Sequence, residues 1–140
     1  PPVGFTMAES EIRGGLKFAL EHHQAGRLPQ AEALYREILA RDSRCVEAWH
    51  YLGVIAHQSA RHDMAVELIG RAAALAPRDA AIQSNLGEVY RNLGRLDEAV
   101  ASLRRALALR PNLPSALNNL GLALTASKTK TKIPWITGSF

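Results

Sequence analysis

Apolar and small residues in this chain recur in matched pairs at long, constant intervals. Phe18-Ala19, Leu52-Gly53, Leu86-Gly87 and Leu120-Gly121 each lie 34 residues from the next pair. Between these marks the apolar positions follow helical stripes, interrupted by glycine, proline and aspartate. The pattern predicts seven helices, at about 9–24, 28–42, 46–59, 63–75, 80–93, 97–109 and 114–126.

The wording inside each interval is also shared. Residues 46–79 carry Trp49, Leu52, Gly53 and Ala56, then Ala65, Ile69 and Pro77. Residues 80–113 carry Gln83, Leu86, Gly87 and Tyr90, then Ala99, Leu103 and Pro111. Residues 12–45 are a degenerate version with Gly15, Phe18, Ala19 and His22, then Ala31, Tyr35 and Ser43. A fourth unit supplies Leu117, Leu120, Gly121 and Leu124 over 114–126 and then stops. A strict period of this length with this wording resembles the tetratricopeptide repeat, whose signature reads Trp-x2-Leu-Gly-x2-Tyr, then Ala-x3-Phe, then Pro. The resemblance covers residues 12–126. It leaves an N-terminal segment 1–11, in which Met7 is a candidate natural start, and a non-repeat tail 127–140.

That resemblance implies an all-α solenoid, with antiparallel helix pairs stacked in a right-handed superhelix whose concave face is lined by the first helix of each pair. Gly53 and Gly87, or Ala19 in the first unit, are expected to let paired helices approach closely, met by Ala31, Ala65 and Ala99. Larger groups there would overpack, at about 1–3 kcal/mol. Gly26 and Gly94 fit the turn within each pair, where a positive φ costs glycine little, and Ala60 replaces them in the second unit. Trp49, Tyr35 and Tyr90 match signature positions and are expected in the core.

Solenoids of this family act through the groove. The family's groove positions, carried onto this chain, include Lys17, Leu20 and His23 in the first unit and His50, Tyr51, Val54 and His57 in the second. They continue as Ser84, Asn85, Glu88, Arg91 and Asn92 in the third unit and Asn118, Asn119 and Leu122 in the fourth. The face is polar and amphipathic, which suits an extended peptide better than a greasy helix. Asn85 and Asn119 occupy one position a repeat apart. A side-chain amide offers both donor and acceptor, so the pair could track a peptide backbone, as in the asparagine ladder of O-linked N-acetylglucosamine transferases. Lys17 and Tyr51 hold the upstream positions, so any ladder starts at the third unit. The carboxylate clamp that grips chaperone C-termini is absent, because Leu16 and Leu20, or His50 and Val54, stand where Lys and Asn are needed.

Candidate chemistry is sparse. His22 and His23 are adjacent and His50 and His57 lie two turns apart, so neither pair gives the i, i+4 face of a helical metal site. His50 and His57 are instead groove residues that could make binding pH-sensitive. Cys45, the single cysteine, precludes an intrachain disulfide and reads as a packing residue. No phosphate loop, nucleophile elbow or converging carboxylates appear, so no catalysis and no cofactor are expected of this segment.

Charge and composition adjust this picture at one end only. The chain is 47% hydrophobic and 21% charged, ordinary for a globular domain, with net charge +4. Three of its 17 basic residues, Lys128, Lys130 and Lys132, sit in the tail, leaving 14 against 13 acidic residues elsewhere. The body uses 13 arginines and a single lysine, whereas the tail uses only lysine. This switch fits two sources of coding sequence, or a natural basic arm. The body lacks the basic face of a nucleic-acid binder. No run is long and apolar enough for a membrane span, and no secretory signal is evident, so a cytosolic setting is the default.

Function is therefore expected to be protein–protein interaction, with an extended partner segment held in the groove. Two alternatives stand beside it. The chain could be the N-terminal repeat region of a larger, O-GlcNAc transferase-like glycosyltransferase, since "AEALYREILARD" and "GRLDEAVASLRRALALRPN" resemble arrays that precede such domains in bacteria. It could also be a self-assembling scaffold. The fourth unit lacks its second helix, so Ile133, Trp135, Ile136 and Phe140 are expected to fold back over Leu117, Leu120 and Leu124. Failing that, a second molecule covers them, or the tail lies extended in a neighbour's groove.

Overall fold

The computed structural model describes the backbone of residues 2–138 and the side chains of residues 9–129. All regular structure among these residues is helical, and the chain divides into two compact units. The first unit holds α1 (Pro2–Gln24), α2 (Leu28–Arg41), α3 (Val46–Gln58) and α4 (His62–Leu75). The second holds α5 (Ala80–Asn92), α6 (Leu96–Leu109) and α7 (Pro114–Gly138). Sequential helices pack as pairs: α1 with α2, α3 with α4, α5 with α6 and α6 with α7. Every internal boundary lies within one residue of the sequence expectation.

The turn inside each pair has a repeated physical cause. Two residues beyond the ends of α1, α3 and α5 the backbone takes a positive φ: Gly26 at 79°, Ala60 at 61° and Gly94 at 76°. In each case the next residue's N–H reaches back to close the helix. Arg27 donates to the His22 carbonyl at 2.8 Å, Arg61 to Ala56 at 2.8 Å and Arg95 to Tyr90 at 2.9 Å. Gly26, Ala60 and Gly94 themselves donate to His23, His57 and Arg91. This double closure is the Schellman motif, which satisfies carbonyls otherwise orphaned at a helix end. The second helix then starts at once, with Pro29 or acidic residues such as Asp63 and Asp97 in its first turn. At the start of α5 the Asp79 carboxylate accepts from the Ile82 N–H at 3.2 Å, a side-chain cap.

Within a pair, the two helices interlock at a glycine. A Cβ at Gly53 would lie 2.4 Å from Ile69 Cγ1 and 3.0 Å from the Ile69 backbone nitrogen. One at Gly87 would lie 2.5 Å from Leu103 Cγ. Ile69 and Leu103 are fully buried there, flanked by the buried alanines Ala65, Ala72, Ala99 and Ala106. In the first pair Ala19 and Ala31 are buried and Ile38 packs on Gly15. Phe18 departs from its counterparts: it is 61% exposed, whereas Leu52 and Leu86 are buried. In α1 the small residues hold the helix-facing stripe, and Phe18 falls outside it.

Two further core expectations need correction. Trp49 and Tyr90 are half-buried, and only Tyr35 of the three aromatic signature residues is fully enclosed. Trp49 donates its indole N–H to the Ser43 carbonyl at 2.8 Å, and the Arg71 guanidinium lies over its ring. Arg95 covers Tyr90 in the same way. Both rings serve as platforms for arginine at the edge of the core.

The tail also departs from expectation. The backbone of residues 127–138 does not run extended but continues α7 through Pro134. Phe140 and the side chains of Ile133, Trp135 and Ile136, on which the expected cover over the leucines depends, lie outside the described residues. The position equivalent to Gly26, Ala60 and Gly94 is Lys128, so nothing at that point favours the left-handed turn that ends the earlier helices. Two threonines of α7 bond backwards along the helix. Thr125 Oγ1 donates to the Gly121 carbonyl at 2.8 Å and Thr129 Oγ1 to the Thr125 carbonyl at 3.0 Å. Leu117 and Leu124 are 51% and 37% exposed.

Two alanine substitutions test the interlock. Gly53→Ala should cost about 1–3 kcal/mol by overpacking, while Gly121→Ala, which meets no atom within 4 Å, should stabilise by about 0.8–1 kcal/mol through helix propensity. Ala60→Gly should likewise stabilise by about 0.5–1 kcal/mol by relieving the positive φ. Urea unfolding at neutral pH reads all three.

Candidate functional site

The residues placed on the groove by sequence fall into two sets, one in each unit. In the first unit, α1 and α3 bring His23, His50 and Tyr51 around Tyr35 of α2. Tyr35 and Tyr51 stack with ring centroids 5.9 Å apart, and His50 stacks on Tyr51 at 5.2 Å. His23 meets both tyrosines edge-on, at 6.4 and 6.3 Å. Its Nε2 also bonds Gln58 Oε1 at 2.9 Å, tying the end of α1 to the end of α3. Leu20 and Val54 are half-buried in the same helices, and Lys17 is exposed.

This aromatic cluster contains two unsatisfied polar atoms. The Tyr35 hydroxyl and His23 Nδ1 are buried with no hydrogen-bond partner. A buried unpaired hydroxyl costs about 1–3 kcal/mol relative to one in water. Burial also pushes the Tyr35 phenol up to about 12, with the neighbouring Tyr51 adding to the shift.

His57 is engaged at the turn rather than presented alone. Its Nδ1 lies 3.0 Å from Nδ1 of His62, so one ring must donate and the other accept. Sequence reading missed His62, because a partner five residues away across a turn shares no helix face. Nearby, Arg61 reaches back to Glu32 of α2 through two nitrogens at 3.1 and 3.3 Å. This bond, with Arg36 assisting against partial burial, holds the Glu32 carboxyl below its ordinary range. Cys45 is buried, and burial raises its thiol.

In the second unit the polar residues of α5 and α7 bond to one another. Asn119 is only 4% exposed. Its Nδ2 donates to Glu88 Oε1 at 3.2 Å and to the Ser115 carbonyl at 2.9 Å, and its Oδ1 accepts from Arg91 Nε at 3.1 Å. Every hydrogen-bonding direction of that amide except one acceptor lone pair is thereby spent within the chain. Asn119 is a clasp between two helices, and the ladder drawn from sequence loses its second rung in this conformation. Ser84, expected on the surface, is buried and bonds Ser115 Oγ at 3.0 Å. Asn85 is half-buried, whereas Asn92, Asn118 and Leu122 are exposed.

Among the described residues no group of three His, Cys, Asp or Glu side chains could hold a metal ion. No described helix is long and apolar enough to cross a membrane.

Comparison with known proteins accords with this geometry. The tetratricopeptide-repeat profile matches residues 16–80, and a second TPR repeat profile matches 87–127. The chain is a tetratricopeptide-repeat (TPR) protein. No curated protein matches the TPR chain. Among solved structures it is similar to a Thermobaculum terrenum O-GlcNAc transferase mutant, at 31% identity and TM-score 0.80. That alignment covers 84% of this chain but 22% of the transferase, so the TPR chain spans about a fifth of that relative's length. The fold is shared with the first TPR of Spaghetti (RPAP3) bound to an HSP90 peptide, at 19% identity and TM-score 0.82, covering 85% of this chain and 94% of that one. It is also shared with the Yersinia enterocolitica type III secretion chaperone SycD in complex with a YopD peptide, at 19% identity and TM-score 0.77, covering 88% and 96%. The TPR chain is accordingly a helical protein-interaction module of a kind that is generally non-catalytic.

The enclosed phenol of Tyr35 gives a testable alkaline signature. Because burial raises the folded value to about 12, the phenol carries no ionisation penalty on folding below the ordinary tyrosine value of about 10, and stability is lost progressively as pH rises from there through the folded value. The unfolding midpoint should therefore fall above pH 10. Tyr35→Phe should flatten that fall and be neutral or stabilising by up to about 1 kcal/mol at pH 7, because it deletes an unpaired buried hydroxyl. Denaturation curves from pH 7 to 11 decide the point.

Proposed function

We propose that this TPR protein holds an extended segment of a partner protein along the first helices of its pairs. The observation that carries the reading is the set of polar and aromatic side chains half-buried on those helices and held there by hydrogen bonds or by ring stacking. In the first unit these are His23, His50 and Tyr51. In the second they are Glu88 and Arg91, held by Asn119. Side chains ordered before binding lose less rotamer entropy on contact, so a ligand gains more from each bond it makes. The peptide-bound neighbours support a peptide ligand as the general mode. The ligand chemistry is not carried over from them: without Lys and Asn at the clamp positions, an acidic C-terminus has no dedicated seat. The mixed Glu88–Arg91 pair and the neutral Asn85 suit a polar, mixed-charge backbone-exposing segment.

The test is a screen of immobilised peptides against the full chain, followed by titration of the best binder. Arg91→Ala and Asn85→Ala should each weaken binding by about three- to tenfold, the loss expected for one or two hydrogen bonds, one of them charged. Asn119→Ala should weaken it further while lowering stability, since it releases Glu88 and Arg91. Unchanged affinity for all three would contradict the assignment.

A second reading has one specific observation behind it, the 31% identity to the T. terrenum transferase. On that reading the repeats precede a glycosyltransferase domain and deliver protein substrates to it. A genomic reading frame that continues into a nucleotide-sugar-binding domain would support it, and one without such a domain would exclude it.

A further inference from the structure

We infer that the outer face of α6 is a self-recognition surface, on which a second copy of the chain docks antiparallel through Asp97, Glu98, Arg104 and Arg105 around Ala101. The inference is independent of the peptide-binding reading, which uses the first helices of the pairs, whereas α6 is the second helix of its pair.

Asp97, Glu98, Ala101, Arg104, Arg105 and Ala108 are all exposed and share one stripe of α6. At 3.6 residues per turn Ala101 and Ala108 run down its middle. Asp97 and Arg104 then fall on one flank, Glu98 and Arg105 on the other. Local causes account for the acidic half only. Asp97 and Glu98 lie in the first turn, where negative charge is favoured. Glu98 also accepts from two nitrogens of Arg95, at 2.6 and 2.7 Å. The arginines have no such cause. The last turn of α6 holds no basic residue, so Arg104 and Arg105 do not answer the helix dipole. Arginines on the other second helices have partners: Arg36 bonds Glu32, Arg41 meets Glu37 and Arg71 covers Trp49. Arg104 and Arg105 instead have Val100 and Ala101 one turn earlier. Among the described residues neither enters an ion pair or a ring contact.

Two features identify a second copy as the occupant. The first is the separation of charge. The carboxylates and guanidinium groups stand six to eight residues apart, a rise of about 9–12 Å along the helix. That exceeds the three- or four-residue spacing at which helix side chains pair. The helix cannot neutralise this stripe by itself, but an antiparallel copy can. The second feature is symmetry. Glu98 and Arg104 lie three residues either side of Ala101, and Asp97 and Arg105 lie four residues either side. A two-fold axis at Ala101 therefore brings Asp97 beside Arg104 of the second copy, and Glu98 beside its Arg105. Each contact occurs twice, as a closed dimer requires, giving four ion pairs around an alanine centre. With only methyl groups at 101 and 108, the helices can approach to the lower end of the usual range of about 8–10 Å. The flanking arginines then reach across. A parallel copy would set like charge on like, so the pattern also selects the orientation. Exposed ion pairs are individually weak and screened by salt, which makes this a weak dimer that salt dissociates.

The experiment is sedimentation velocity on the full chain from low to high micromolar concentration, in low and in high salt. The expected result is a monomer–dimer equilibrium that high salt shifts towards monomer. Arg104→Glu with Arg105→Glu makes the whole stripe acidic and should weaken dimerisation by at least about tenfold, because like charges then meet. Asp97→Arg with Glu98→Arg makes the stripe basic and should do the same. Mixed in equal amounts, these two double variants should form a heterodimer, although neither forms a homodimer. All four substitutions in one chain reverse the polarity of the stripe and should restore the homodimer. The position of the axis is read separately, without changing charge, in a Cys45→Ala background. Ala101→Cys should form a symmetric disulfide under mild oxidation, whereas Ala108→Cys, two turns from the axis, should not. A wild-type chain that stays monomeric throughout overturns the inference and leaves the stripe a solvated face. A dimer indifferent to salt and to charge reversal overturns it as well, as does failure of the two double variants to pair, or cross-linking that is equal at 101 and 108.

Discussion

The structure depends on how closely two antiparallel helices can approach. At Gly53 and Gly87 the partner side chain occupies space that a single methyl group would claim, with Ile69 Cγ1 and Leu103 Cγ at 2.4 and 2.5 Å from the virtual Cβ. That approach lets a short pair of helices of 13 and 14 residues bury a continuous core of alanine, leucine and isoleucine. Isolated helices of this length are marginal in water, so packing across the pair is what makes them stable. The left-handed turn residue at 26, 60 or 94 follows from the same requirement, because the chain must reverse within three or four residues to bring the glycine opposite its filler.

The proposed function rests on the faces this packing leaves over. Because the large apolar groups are absorbed between helices of a pair, the first helices can present histidine, tyrosine, arginine and glutamate without forfeiting core. Several of these polar groups are not free for a ligand. Asn119 is consumed by Glu88, Arg91 and the Ser115 carbonyl, and Ser84 by Ser115. Their effect is indirect: they fix the rotamers of the half-exposed groups beside them. Bonds that look like a binding ladder in sequence act here as internal bracing, and in the function proposed above the groups they brace are the ones left to meet a ligand.

Much of this was legible in sequence because the determinants are local and repeated. A period of 34 with glycine at fixed offsets sets helix number, pairing and turn position, and Gly26, Ala60 and Gly94 all adopt the positive φ their place requires. What escaped depends on which way a side chain turns once two helices meet. Whether Asn119 faces solvent or α5, whether Trp49 is enclosed or carries Arg71, and whether His57 finds His62 are settled by geometry that a repeat pattern does not encode. The α7 continuation escaped for a different reason. Pro134 and the β-branched residues argue against helix, at a few tenths of a kcal/mol for each threonine or isoleucine. With Lys128 in the turn position, however, no competing signal ends the helix at the point where its predecessors stop.

The central claim is that Gly121 with its neighbouring leucines is an empty copy of the seats at Gly53 and Gly87. It is tested most directly by supplying the missing piece. A chain in which residues 128–138 are replaced by a copy of 94–109, the turn and helix α6, should place a second Leu103 on Gly121. The account predicts a higher thermal unfolding midpoint and loss of protection differences between α5 and α7 in amide hydrogen exchange. An unchanged or lower midpoint, with the Leu117 and Leu124 stripe still accessible, would contradict it.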